Sequence, residues 1–400
     1  MGTLTAKLLV LLMKVLHVIP SLSPALGGPT QVALKVVKAI REQGIDAEIV
    51  TTNHEQNHAD IPLNKRVEYE DVPVWFLPAF PLPLKEYIFS AALTKWLWRN
   101  IGRYDILDNH YLFSYVPSCA GAIARWCKTP YTVRTQGQLT PWALDQSTLK
   151  KQVYTTLIER KNLNKAAAIH CTTQQEAQDL RDFGIDTPTI TLPLGVEKST
   201  KISTAKLELH QKYNIAEDKL IILFLSRLHY KKRPDLLIES LGEVINHNQN
   251  FHLVMAGNSE PEYLSYLQQL VAQYDLDNYA SFPGFVTGRD KDLLLQGADI
   301  FALPSHSENF GIAVAEAMAA GLPVIITPGV QIAVEVAAAN AGIIVENETE
   351  LADAILQLLN SSSRRLHLSH NAIALAQGKY AWTQIANQLI TAYAEILTQP

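Results

Sequence analysis

Two glutamates and the loop between them are the residues whose types and spacing best suit a chemical task. Glu308 lies among Ser305, His306, Ser307 and Asn309, and Glu316 follows eight positions on. Eight residues is not a whole number of helical turns, so the two carboxylates would not share a direction on one continuous helix. Glu308 belongs in a loop and Glu316 inside a helix. Between them, Asn309, Phe310, Gly311 and Ile312 fall at the helix N-terminus, where unpaired N–H groups and the positive end of the dipole attract anions. A carboxylate beside such an end can hold sugar hydroxyls while the backbone holds phosphate oxygens, as a nucleotide-sugar would require. The plainer alternative makes Glu308 a cap and Glu316 a solvated helix position, and the residue types alone leave both open.

The elements that must position these groups are legible around them. Ile300 to Leu303 is a short apolar run of the kind buried on both faces of a parallel sheet, and Pro304-Ser305 interrupts it. Phe310, Val314, Ala317 and Met318 recur at helical spacing on one face. Gly321 stands where a C′ glycine would, and Pro323 forbids continuation. Leu322 to Ile326 reads as a second buried strand. The expected unit is strand, loop, helix, strand.

This segment resembles the C-terminal signature of the retaining GT-B glycosyltransferases of family four, also called glycosyl transferase group 1. Family members carry Pro-Ser, then Glu-Gly-Phe-Gly, then a second Glu before Ala-Met-Ala-x-Gly-x-Pro-Val. Here these become Pro304-Ser305, Glu308-Asn309-Phe310-Gly311, and Glu316 followed by Ala317-Met318-Ala319-Ala320-Gly321-Leu322-Pro323-Val324. Asn309 replaces a glycine, and asparagine tolerates positive φ better than most residues. The resemblance implies an α/β chain of GT-B fold, with two Rossmann-like domains facing each other across a cleft.

Composition agrees with a folded chain of this size. Four hundred residues exceed what one core usually organises, so two domains are expected. An apolar content of 48% and a charged content of 18% are those of a globular protein, and a net charge of −5 argues against general nucleic-acid binding. Cys119, Cys127 and Cys171 form no metal spacing and no disulfide framework, which suits a reducing cytoplasm. Leu8 to Val18 imitates the apolar part of a signal peptide, but Lys14 interrupts it. Met13 to Pro20 reads better as a first strand, leaving residues 1–12 as an extension or a misplaced start. No other run is long enough to span a membrane.

The N-terminal half opens as a βαβ unit: the first strand, a loop ending in Gly27-Gly28-Pro29, a helix from Thr30 to Gln43 closed by Gly44, and a strand from Ala47 to Thr51. It lacks the G-x-G-x-x-G turn and the acid after the second strand that a dinucleotide site needs. Gly28 can let backbone approach a ligand, or it can be part of a plain turn. Pro73 to Pro83 is expected to be a surface connection. From Leu84 to Arg103 a helical stretch combines Phe89, Trp96 and Trp98 with Lys85, Lys95, Arg99 and Arg103. That pattern fits a membrane-interface element or an ordinary helix with one packed and one solvated face. Lys150, Lys151, Arg160, Lys161 and Lys165 mark a basic helical region facing acidic lipid or solvent. Asp108-Asn109-His110-Tyr111 ends one strand, and Tyr131 to Gly137 is another strand and loop, followed by Pro141-Trp142. Thr172-Thr173 before Glu176 reads as a capped helix start.

The resemblance assigns roles residue by residue. It places His110 against the donor sugar, and Thr135 and Gln136 on the acceptor side. Pro193-Leu194-Gly195-Val196-Glu197 matches the family's interdomain Pro-Asn-Gly-Val-Asp, with Leu194 and Glu197 as departures. That implies an acceptor-binding domain over residues 1–195, a donor-binding domain over 200–379, and a final helix, 380–400, packed back on the first domain. In the second domain the family's Arg and Lys fall on Arg227 and Lys232, which would hold the diphosphate. Gly257 ends the next strand, and Pro283-Gly284-Phe285-Val286 would abut the base. Glu308 would take sugar hydroxyls, the N–H groups near Phe310-Gly311 sugar and phosphate, and Glu316 the ribose.

Loosening a sugar–phosphate bond produces a diphosphate of growing negative charge, which a guanidinium, an ammonium and a helix N-terminus are suited to hold. Asp275-Leu276-Asp277 has the spacing of a metal-binding pair but falls in a connection between helix and strand, and reads as a solvated turn. The expectation is therefore a metal-independent retaining hexosyltransferase without cofactor, using a UDP-sugar, UDP-glucose first. Its acceptor would be a saccharide or lipid-linked saccharide of envelope or exopolysaccharide synthesis. The setting would be cytoplasmic, with peripheral contact at the inner membrane face as one reading. Two competitors are a GT-B-fold nucleotide-sugar epimerase or hydrolase, which would act without acceptor, and a two-domain sugar-binding protein, for which the diphosphate clamp would be superfluous.

Overall fold

The computed structural model describes residues 12–23, 28–54, 61–80, 88–140, 158–197 and 200–398. The chain divides into two compact units, Met1–Gly195 with Trp382–Pro400, and Val196–Ala381. Residues 1–11, Gly27, Leu84 to Tyr87, Pro141-Trp142 and Lys150-Lys151 lie outside the described residues.

The first unit holds eight strands: β1 (Lys14–Ser21), β2 (Asp46–Thr52), β3 (Arg66–Tyr69), β4 (Val72–Leu77), β5 (Ile106–His110), β6 (Tyr131–Arg134), β7 (Ala168–Cys171) and β8 (Thr189–Thr191). Their order is β3-β4-β2-β1-β5-β6-β7-β8, parallel except for the β3–β4 pair. β1 and β5 are almost wholly buried, because helices cover both faces of a parallel sheet. The helix Gly28–Glu42 buries Ala33, Leu34, Val36, Val37 and Ile40, and Gly44 follows it at φ 89°. The helix Trp382–Thr398 joins the same core through Ala386, Leu389, Ile390 and Tyr393.

Two sequence expectations are corrected here. The proline-rich stretch is not a connection up to Leu77: Val72–Leu77 is a strand, paired on one side with β3 and on the other with β2. Pro73 is tolerated because the pairing with β2 begins only at Val74, so its missing N–H costs no ladder bond there. In the basic–aromatic stretch residues 88–90 are not helical and a helix starts at Ala91, since the Ser90 hydroxyl accepts from the Leu93 N–H at 3.0 Å and fixes the N-terminus. Of the basic region, Arg160 and Lys161 lie in the helix Arg160–Asn164, and Lys165 follows it. Arg160 is used for packing there, bonding the Phe183 carbonyl at 2.9 Å and lying over its ring.

The second unit holds β9 (Leu220–Leu225), β10 (Phe251–Ala256), β11 (Ala280–Gly284), β12 (Ile300–Leu303), β13 (Val324–Ile326) and β14 (Gly342–Ile344). The order is β11-β10-β9-β12-β13-β14, all parallel. The strand, loop, helix, strand unit appears as expected, with the helix at Ile312–Ala319 and Gly321 at φ 91° after it. Phe310, Val314, Ala317 and Met318 are all buried. Among the described residues no helix is long and apolar enough to cross a membrane.

Candidate functional site

In the second unit the polar residues gather where parallel strands end at their carboxyl side, the place where open α/β sheets bind ligands. After β9 the chain passes Ser226-Arg227, and the Leu228 N–H donates to the Asn258 carbonyl at 2.7 Å. After β10 the Gly257 N–H donates to the Gly284 carbonyl at 2.8 Å, stitching the loop to the end of β11. A Cβ on Gly257 would come within 1.8 Å of the Ser226 oxygen, so these two loops can lie together only if the residue is glycine.

A 3-10 turn, Tyr230–Lys232, then carries the cations. Its position is fixed by the loop after β12: His306 N–H and the Ser305 hydroxyl both donate to the Lys231 carbonyl, at 2.8 and 3.0 Å. That loop is pinned in turn by Glu308, whose N–H donates to Gly329 at 2.9 Å and whose carbonyl accepts from Gln331 at 3.1 Å. The consequence is that buried Lys232 donates directly to the Glu308 carboxylate.

The cluster is crowded with positive charge. Burial first, and the neighbouring Lys232 ammonium next, push Lys231 down to about 8. Burial also lowers His229, with Arg227, Lys232 and Lys231 each adding repulsion. All four groups therefore share one field, and Glu308 is its counter-ion. Lys231 was missed at the sequence level, although the Lys231-Lys232 pair was its signal. Arg227 is exposed and can reach solute.

The helix Ile312–Ala319 begins at Gly311, whose φ of 87° and lack of a capping side chain leave its N-terminus open. Phe310 is a packing residue, its ring edge-on to Tyr380 at 5.5 Å. Ile312 and Asn309 are half-buried beside it. Glu316 is also half-buried, and Lys291 Nζ lies 2.7 Å from both its oxygens. It is therefore an ion-paired carboxylate, a partner that no local pattern announces, since Lys291 is 25 residues away. Phe285 leaves its ring 64% exposed just past β11, with Val286 half-buried after it. Asp275 and Asp277 are exposed in the turn before β11, as the sequence suggests.

The first unit answers differently. His110 is fully buried, and its Nε2 lies 3.0 Å from His17 Nδ1. The resemblance places His110 against the donor sugar; its ring here has no solvent exposure. It belongs to a polar row laid across the sheet: His17 is in register with Asp108, and His110 with Arg134 and then His170. Asp108 is the hub, accepting from Arg134 Nε at 2.7 Å, Thr132 at 3.1 Å and the Tyr393 hydroxyl. Burial alone would raise its carboxyl, but the Arg134 guanidinium, aided by the Tyr393 hydrogen bond, outweighs that and holds it well below the usual carboxylate range. Burial keeps His17 neutral, its pKa lowered to about 4, and lowers His110 as well. His17, Asp108 and His110 bring ligand atoms within 4.8 Å of one another. Asp108 already serves a buried guanidinium, so the group does not have the chemistry of a cation site.

Thr135, which the resemblance places on the acceptor side, is held by the fold. Its hydroxyl is buried and donates to Glu176 at 2.6 Å, and the same carboxylate takes the Gly137 N–H and both donors of Thr172. Glu176 thus caps its own helix and ties down the loop after β6, a structural task. Gln136 sits in that loop at φ 51°, with both amide atoms shielded and without a hydrogen-bond partner. Gly28 is the exposed first residue of its helix, and a Cβ there would meet nothing within 4 Å. The fold itself places no demand for glycine at that position.

Two family profiles match this chain: "Glycosyl transferases group 1" over residues 205–375 and "Glycosyl transferase 4-like domain" over residues 27–195. The chain belongs to the group 1 glycosyl transferases. A relative in this family, the D-inositol 3-phosphate glycosyltransferase of Xylanimonas cellulosilytica, is 27% identical over 390 residues, 92% of each chain. Anabaena HepE, solved in complex with UDP and glucose, superposes with a TM-score of 0.75 at 19% identity, covering 96% of this chain and all of the other. WaaG, a glycosyltransferase involved in lipopolysaccharide biosynthesis, gives 0.69 at 17% identity, covering 96% and 100%. These likenesses, with the two Rossmann-like sheets, give the group 1 glycosyl transferase a GT-B fold.

Proposed function

We propose that this glycosyltransferase is a retaining, metal-independent hexosyltransferase. It takes a hexose, glucose first, from a UDP-sugar to a saccharide or lipid-linked saccharide acceptor in envelope or exopolysaccharide synthesis. The observation that carries the reading is the cation cluster Arg227, Lys231 and Lys232 with Glu308 at the carboxyl ends of β9 and β12. HepE, a likeness in fold, is described with UDP and with UDP-glucose.

In this reading the bond between the anomeric carbon and the diphosphate oxygen breaks, its electron pair passing to the diphosphate. The acceptor oxygen bonds to the same carbon on the face being vacated, and its proton goes to the departing phosphate. Arg227 presents a fork to phosphate oxygens, and the lysines supply point charge. The open N–H groups at Gly311–Ile312 take remaining oxygens. Glu308 orders Lys232 before the donor arrives and meets the sugar hydroxyls. Glu316, held by Lys291, accepts the ribose hydroxyls, and the exposed Phe285 ring and Val286 flank the base.

A thermal-shift titration tests the base: UDP should raise the melting temperature and GDP should not, while the reverse would move the assignment to a guanine nucleotide. Glu316→Ala should weaken UDP binding by about 1.5–3 kcal/mol, as for hydrogen bonds to a charged group. An unchanged dissociation constant would leave Glu316 as a partner of Lys291 only.

Lys231 makes binding depend on pH. With its pKa lowered to about 8 in the free protein, it is partly deprotonated at pH 8. A bound diphosphate favours the ammonium and raises that pKa, so binding at pH 8, where the UDP phosphates are fully ionised, should take up protons at Lys231. Calorimetry of UDP binding in two buffers of different ionisation enthalpy reads this directly. Equal heats at pH 8 would remove Lys231 from the site.

A further inference from the structure

At the carboxyl ends of β9 to β12 the chain turns to positive φ at five of the described residues, and four of them are glycines: Gly257, Gly284, Gly288 and Gly311. The fifth is Arg233, at φ 54° and ψ 45°. A side chain makes that conformation unfavourable, whereas glycine adopts it freely. Pro234 adds to the strain, because its ring favours an extended residue before it. Strain of this kind persists only where the surroundings hold it, and it gathers at functional sites. Arginine at this position therefore implies a task for its side chain.

The guanidinium joins separate pieces of the second unit. Arg233 Nε lies 3.2 Å from Asp235 Oδ2, in the first turn of the helix Pro234–Val244. The other oxygen of Asp235 accepts from the Tyr263 hydroxyl at 3.4 Å, on the helix Pro261–Gln273. Arg233 Nη1 lies 3.4 Å from His306 Nε2. A guanidinium has no acceptor, so His306 is the acceptor there. His306 is also the residue whose N–H donates to the Lys231 carbonyl, and its loop carries Glu308. Main-chain bonds thus join the 3-10 turn to that loop, and the Arg233 side chain joins them a second time. Arginine suits the work because its rigid fork serves two partners in fixed directions, which an ammonium does not.

We propose that Arg233 is a positioning residue, holding the Lys231–Lys232 turn against the Glu308 loop through His306. The proposal rests on the reading that this cluster meets the donor's diphosphate. Losing the Arg233 side chain removes none of the three clustered cations, so attraction for UDP survives, whereas the transition state depends on where those cations stand. Arg233→Gly suits the backbone and should melt no lower than the wild type. It should lower kcat about tenfold and change the UDP dissociation constant by less than about threefold. His306→Ala should do the same, and the double variant should be no slower than either single one, because both remove one contact. His306→Gln, whose amide oxygen replaces Nε2 as acceptor, should keep most of the rate. Arg233→Asn, which tolerates the left-handed region, repeats the test should the glycine variant fold poorly. Wild-type kcat in Arg233→Gly, losses that multiply in the double variant, or a slower rate matched by a lower melting temperature in both Arg233 variants would each overturn the proposal. Arg227→Ala measured alongside separates the two ideas. Wild-type kcat there as well would place the failure in the diphosphate reading, and wild-type kcat in Arg233→Gly alone would place it here.

Discussion

Replacing Arg227 or Lys232 with alanine should lower kcat on the order of 100-fold or more, the loss typical of removing one preorganised charge from a developing anion. The two variants should fail for distinguishable reasons. Arg227 is exposed, so its alanine variant should fold normally and lose transition-state charge alone. Arg227→Lys should recover only part of the loss, because an ammonium cannot present the bidentate fork. Lys232 is buried against Glu308, so Lys232→Ala leaves a half-buried carboxylate facing the place where phosphate must bind. That variant should lose donor affinity as well as rate, and Lys232→Ala with Glu308→Gln should recover part of the affinity. Steady-state kinetics with UDP binding measured separately checks all of this. Wild-type rates in both alanine variants would remove the cluster from the reaction.

The largest stability effect is expected at Asp108→Ala. Arg134 is 3% exposed at its side chain and has Asp108 as its counter-ion. Deleting the carboxylate leaves a buried guanidinium uncompensated and removes the acceptor for Tyr393 and Thr132. Breaking a buried pair in this way costs about 3–5 kcal/mol, equivalent to a drop on the order of 10 °C in the thermal midpoint of a domain this size. Asp108→Asn, which keeps the acceptor oxygen, should fall between the two. Differential scanning calorimetry is the check. An unchanged midpoint would mean the row from His17 to His170 is not a stabilising network.

The sequence was most legible where neighbours in the chain are also neighbours in space. Ile300 to Ile326 could be read almost residue by residue, because helical spacing, a C′ glycine and a proline stop are local signals. The carboxyl ends of β5, β6, β9 and β10 could be placed for the same reason. What escaped was set by distant partners. Pro73 looked like a loop residue because the strand that needs no N–H from it, β2, lies far back in the chain. The Thr135 hydroxyl is held by Glu176, 41 residues on, a partner that no local pattern announces. The resemblance gave His110 a place in the site, and no local pattern announced that register also sets it beside His17 and Arg134 in a buried row. The Lys291–Glu316 pair, joining a helix after β11 to one after β12, is of the same kind.

The central claim is tested most directly by nucleotide release. The protein would be incubated with UDP-, GDP- and ADP-sugars, with and without EDTA, and free nucleoside diphosphate followed over time. UDP-glucose should be hydrolysed slowly without acceptor, the other donors much less, and EDTA should leave the rate nearly intact because Arg227, Lys231 and Lys232 hold the diphosphate. Activity that vanishes with EDTA, returns with Mn²⁺ or Mg²⁺ and survives Arg227→Ala and Lys232→Ala would contradict the account and return Asp275 and Asp277 to consideration.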